Sequence, residues 1–176
     1  MLKTGLAFIA AFAAAVTPGP AAERLNTPRI DGFVLGYEAT QDGATLRELV
    51  PQGETVEDWS RMVTDFHIAG AAETIALENY LDRFIRGLAK ICPDPKIGPV
   101  MTYPLEGMQI AKLRFICDRL PKTGKPEVFY SIFIVGRKDF LNRQVAFRHL
   151  PSPAEVKWAE GIIASTKVCA ADVEHC

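Results

Sequence analysis

Histidine is scarce in this chain: His67, His149 and His175 are the only three in 176 residues. An imidazole-based metal centre has little to draw on, and the cysteine spacings fit no zinc pattern. There is no C-x-x-C, so thioredoxin-like redox chemistry has no motif to rest on. There is no G-x-S-x-G elbow for a serine nucleophile. There is no glycine-rich phosphate loop either: Gly124-Lys125 sits in a polar turn and lacks the Ser/Thr and the helix that should follow. No cofactor is implied by any of this. Blocks of like charge are missing too, and the formal net charge is −1. Near-neutral, dispersed charge argues against nucleic acid or an anionic membrane surface as the main partner. Past the first residues no stretch is apolar enough to span a bilayer.

What is present begins with an export signal. Lys3 is a minimal positive start, and Leu6 to Val16 is an apolar run too short to cross a membrane. Thr17-Pro18-Gly19-Pro20 then breaks it. This is the pattern of a secretory signal peptide over residues 1–21, with cleavage after Ala15 or after Ala21. No cysteine stands there, so a lipid anchor is not expected. Residues 22–32 read as a flexible polar leader with Pro28 and Gly32. Residues 33–176 read as one domain, since a mature chain of about 155 residues matches a single core. The expected location is the periplasm or outside the cell.

Four cysteines behind an export signal read as two disulfides. Three connectivities are possible. Leu77, Leu81, Phe84, Leu88 and Ile91 recur at helical spacing over about 73–91, and Cys92 stands one helical step past Leu88. Pro93 stops the helix. Downstream, Ala111, Leu113, Phe115 and Cys117 alternate with Lys112, Arg114 and Asp118, the period of a half-buried strand. Both cysteines therefore turn inward, which favours Cys92–Cys117, with Cys169–Cys176 as a clip on the tail.

The rest follows in order. Phe33–Thr40 and Thr45–Val50 flank Asp42-Gly43, the strongest local hairpin signal. Thr55 offers an N-cap for a short helix from Val56 to about Arg61 that carries Trp59 inward. Met62–Ala69 is extended, and Pro99–Tyr103 is a possible short strand. Met108–Arg119, Glu127–Arg137 and Phe140–Arg148 form an antiparallel meander. Its middle strand is apolar on both faces and so should be central, packed on each side. Ser152-Pro153-Ala154-Glu155 is a complete helix start: cap, proline at the first position and capping-box acid. The expected class is α+β, an antiparallel sheet opened by a hairpin with helices on its faces.

Candidate chemistry is thin. Asp65 and His67 point the same way on one strand, a pair that can orient an imidazole for base catalysis or supply two metal ligands, with no third in view. A solvated strand face explains them as well. Glu38 and Glu48 lie on facing hairpin strands, where paired acids can run glycoside hydrolysis. The polar segment Gly53–Trp59, with Glu54 and Asp58 and anchored by Trp59, is the best candidate for a functional loop. Tyr130, Arg137, Phe140, Arg143, Phe147 and Arg148 mix aromatic with basic character, but the hairpin alternation divides them between two faces. Candidate binding residues are thus Glu54, Asp58, Trp59, Asp65 and His67. No catalytic or metal-ligand set is assigned.

The run from Glu48 through Pro51-Gln52-Gly53-Glu54-Thr55-Val56-Glu57-Asp58-Trp59 to Met62-Val63-Thr64 resembles a signature of small exported bacterial proteins of unassigned function. Gly36-Tyr37-Glu38 and Cys92-Pro93 share in that resemblance. The element order is similar, at fold level only, to PsbP-like domains, which implies an α/β/α sandwich and an accessory or binding role. The leading expectation is a non-enzymatic exported binding or accessory domain. Its partner would be a protein or small molecule of the cell envelope. A small hydrolase using Asp65 and His67 and a secreted effector or inhibitor are the alternatives.

Overall fold

The computed structural model describes residues 22–26 and 30–170. The expected signal peptide, part of the leader and the Cys176 end of the expected tail clip lie outside the described residues. The chain forms β1 (Glu23–Leu25), β2 (Phe33–Gln41), β3 (Ala44–Pro51), β4 (Arg61–Ile68), α1 (Leu77–Ile91), β5 (Lys96–Ile97), β6 (Met101–Leu105), β7 (Met108–Cys117), β8 (Glu127–Val135), β9 (Phe140–Phe147), α2 (Pro153–Ala164) and β10 (Val168–Ala170). The class is α+β, as expected.

One antiparallel sheet of eight strands runs β2-β3-β4-β9-β8-β7-β5, with β6 also paired to β7. The opening hairpin closes tightly, Gln41 opposite Ala44, so Asp42 and Gly43 alone make the turn. Both have positive φ, the demand of the turn type that matches strand twist. The strand apolar on both faces is β8, and it is interior to the sheet. Phe129, Phe133 and Val135 point into one core with Leu77, Leu81 and Leu88 of α1. Val128, Tyr130, Ile132 and Ile134 point into a second core with Ala159, Ile162 and Ile163 of α2. Period-two alternation thus sends neighbouring residues to opposite layers.

The disulfide Cys92–Cys117 is present, with Cα atoms 5.9 Å apart, and ties the end of α1 to β7. By the chain-entropy model, closing a loop of that length contributes about 3–4 kcal/mol. Cys92 ends α1 in extended conformation, as the residue before a proline should. At its other end α1 starts at Leu77, four residues later than expected. The Ala71 carbonyl accepts from the Thr74 and Ile75 N–H groups and from the Thr74 hydroxyl, holding a turn where a helix was expected. Helix α2 carries its full capping box: Ser152 accepts from the Glu155 N–H, and the Glu155 carboxylate accepts from the Ser152 N–H at 2.8 Å.

Two expectations are corrected. Residues 22–26 of the expected flexible leader contain β1, which pairs with β10 in a separate two-stranded ribbon and buries Glu23 and Leu25. Residues 56–61 form no helix. Thr55 does accept from the Asp58 N–H, but Glu54 reaches across to accept from both the N–H and the hydroxyl of Ser60, at 2.6 and 2.7 Å. That cross-brace closes the segment into a compact loop before a helical turn can propagate.

Candidate functional site

The residues singled out from sequence fall in two places. Glu54, Asp58 and Trp59 sit in the loop before β4. Glu54 is spent on Ser60, and Asp58 is exposed and paired with Lys125 at 3.3 Å. Trp59 is buried in the α1-side core, with the Arg148 guanidinium 4.2 Å from its ring. Arg148 also faces Glu127 at 3.6 Å. Burial pushes the Glu127 carboxyl above its ordinary value, and Arg148 opposes that rise.

Asp65 and His67 sit in the second half of β4 on the α2 side, beside a hollow of about 150 Å³ also lined by Arg24, Thr45 and Arg47. They do not act on each other. Asp65 stands opposite Arg143 in the ladder, and Arg143 donates to both of its oxygens at 2.7 and 2.8 Å. Arg143 is fully buried. It also donates to the Asn26 carbonyl at 2.6 Å and to the Asn26 side chain at 3.2 Å. The guanidinium thereby joins β4 and β9 to the segment just after β1, using the planar fork that suits a carboxylate.

His67 pairs instead with Asp139, Nε2 to Oδ2 at 3.0 Å. Asp139 lies in the turn between β8 and β9 and accepts from the Glu23 N–H and the Gly70 N–H, both at 2.7 Å. Burial works against the ionised Asp139 carboxyl, but those backbone donors and His67 outweigh it and hold it below its ordinary value. In return the Glu23 carboxylate accepts from the N–H groups of Arg137, Lys138 and Asp139, each at 3.0 Å. Gly136 makes room for this: a Cβ there would stand 2.1 Å from Glu23 Oε2. Asp65, His67, Asp139, Arg143 and Glu23 form a fastening that pins β1 to the sheet. Glu38 and Glu48 are separated as well. A bulge between Leu35 and Tyr37 puts Glu38 opposite Arg47 and Glu48 opposite Tyr37, on different faces.

A second region was not anticipated. The α2 side of β6, β7 and β8 extends beyond what α2 covers. Two hollows, of about 420 and 530 Å³, lie between α2 and the β6–β7 hairpin. Both are lined by Lys112, Ile163 and Ala164, so they adjoin at these residues and together make a trough with two compartments. Its walls include Tyr103, Leu105 and Met108 at one end and Met101, Tyr130 and Pro99 at the other. Ile110, Ile132 and Ile134 close the floor. Met101 and Leu105 are 57% and 49% exposed, although they alternate with Tyr103 on one strand face.

Lys112 stands where the hollows join. It is partly buried, its ammonium lies 5.7 Å from the Tyr103 ring centre, and among the described residues no carboxylate comes within 4 Å of it. Burial pushes the Tyr130 phenol upward, opposed by Arg114 and reinforced by Glu160. Among the described residues no group of three or more His, Cys, Asp or Glu is placed to hold a metal. The signal for the trough is the alternation Met101-Tyr103-Leu105, which runs past the short strand expected at Pro99–Tyr103. Its exposure depends on where α2 docks, which local pattern does not report.

No protein-family model matches the chain, and no curated protein is similar to it. Among solved structures it is similar to a protein of unknown function, PA94 from Pseudomonas aeruginosa. The TM-score is 0.43 and the identity 15%, over 73% of this chain and 90% of that one. A likeness of that size carries no inference about function.

Proposed function

We propose that the chain is a non-enzymatic binding or accessory domain of the cell envelope, exported to the periplasm or beyond, and that it holds its ligand in the trough between α2 and β6. The observation that supports this most is the trough itself. It is a concave, mainly apolar site within the size range of small-molecule pockets, with a few polar groups along it. The N-terminal export pattern and the Cys92–Cys117 bond favour an oxidising compartment. We also take the layering of α1, sheet and α2 as that of the PsbP-like domains that the element order resembles.

A hydrolase built on Asp65 and His67 draws less support. Both carboxylate oxygens of Asp65 are engaged by Arg143, and the nearest acid to His67 is bound to two backbone N–H groups. Native mass spectrometry on unreduced protein taken from the host's periplasmic fraction tests the binding reading. The expected result is a retained small molecule that is lost when Met101→Glu places a charge in the trough. A bare chain in wild type and variant alike, with no ligand recovered from lipid or metabolite extracts, would overturn it.

A further inference from the structure

We propose that the trough takes a single-chain amphiphile with a carboxylate head, a free long-chain fatty acid. Its head would lie on Lys112 and its chain over Ile110, Ile132 and Ile134. This rests on the binding-domain reading above and names the ligand class.

Charge complementarity carries the assignment of the head. The stem of Lys112 is partly buried, and a carboxylate brought to its ammonium would make a charge-assisted contact. Among the described residues Lys112 has the Tyr103 ring face, a weak attraction, and no carboxylate within 4 Å. Two acids line the hollows as well, one in each. Glu160 lines the hollow of about 530 Å³ beside Arg114, and Glu106 lines the hollow of about 420 Å³, where its backbone carbonyl accepts from Arg137. Lys167, on the α2 side, adds a second positive charge to the same hollow. With Lys112, Arg114 and Lys167 set against Glu106 and Glu160, an incoming anion meets a lining of net positive charge.

The tail is assigned by shape. From Met108 to Lys112 the floor strand spans about 13 Å at the usual strand rise. Along that length the hollow of about 420 Å³ is walled by Leu105, Met108, Ile110, Ile132, Ile134 and Val168. An acyl chain fits such a mainly apolar wall, whereas most hydroxyls of a sugar or nucleotide would face aliphatic side chains.

The test is calorimetric titration of the delipidated full chain with hexadecanoate below its micelle concentration, beside hexadecanol. Saturable one-to-one binding of hexadecanoate is expected. Lys112→Met should weaken hexadecanoate about tenfold or more and leave hexadecanol nearly unchanged, the mark of a lost charge-assisted contact. Leu105→Glu, in the wall along the tail, should weaken both, and unchanged thermal melting of both variants would show that folding is not the cause. Three results would overturn the proposal: no saturable binding, an unchanged hexadecanoate-to-hexadecanol ratio in Lys112→Met, or binding confined to diacyl phospholipid vesicles. If hexadecanoate fails while native mass spectrometry finds another molecule sensitive to Met101→Glu, the fatty-acid assignment falls and the binding-domain reading stands. If neither method finds an occupant, both fall.

Discussion

Arg143 and Lys112 lie on the same face of the same sheet, on strands separated only by β8, and their surroundings are opposite. Arg143 is fully buried, and it meets both oxygens of Asp65 as well as the Asn26 carbonyl. Lys112 is half-buried against isoleucines and a tyrosine and meets no carboxylate among the described residues. The first cation completes the fold, and the second is left for something outside it. A polar cluster that looks catalytic in sequence can be the most thoroughly satisfied part of a molecule. The informative group is the one whose partner is missing.

The largest expected effect breaks the satisfied side. Arg143→Met strands the Asp65 carboxylate, and the cost should be about 3–5 kcal/mol in denaturant unfolding. Adding Asp65→Asn should recover part of it. An Arg143→Met chain as stable as wild type would mean that this site is not holding the fold. Replacing both Cys92 and Cys117 by serine comes next, at about 3–4 kcal/mol from the released loop. The helix-to-strand staple is the covalent counterpart of the Arg143 fastening.

Gly136→Ala should cost about 2 kcal/mol, because the new methyl displaces the Glu23 carboxylate from three backbone donors. In a Glu23→Ala background the same change should cost less, and equal costs in the two backgrounds would show that Glu23 is not what it displaces. Asp139 gives the pH dependence. Its folded value lies below its unfolded one, so ionised Asp139 adds stability above about pH 4. That contribution is lost as pH falls through the folded value. The stability gap between wild type and Asp139→Asn should accordingly be full at neutral pH and close in acid. A gap that is flat with pH would contradict the linkage. The smallest effect falls on the open side: Lys112→Met should change stability by no more than about 0.5 kcal/mol.

The fold was largely legible in the sequence wherever one physical signal acted alone. Alternation located β7, a run apolar on both faces located the interior strand β8, Ser152 to Glu155 located the start of α2, and the inward facing of Cys92 and Cys117 located their bond. Errors arose where a tertiary contact outweighed the local pattern. Glu23 looked like part of a polar leader, yet it is buried because a turn more than a hundred residues away offers three N–H donors to its carboxylate. Thr55 has helix-capping chemistry, yet Glu54 closes the loop on Ser60 first. The sites were less legible. Asp65 and His67 point the same way, as their spacing requires, but their partners come from β9 and from the β8–β9 turn. The trough leaves a faint trace in Met101, Tyr103 and Leu105, and only the position of α2 turns those three residues into an open wall.

The most direct measurement is a backbone and methyl NMR map of hexadecanoate binding to the full chain. The account predicts shifts concentrated at Met101, Tyr103, Ile110, Lys112 and Ile163, with the resonances of Thr45, Arg47, Asp65 and His67 undisturbed. Shifts centred on Asp65 and His67, with Lys112 and its neighbours silent, would contradict it and return the function to the site that the side-chain pairing marks as structural.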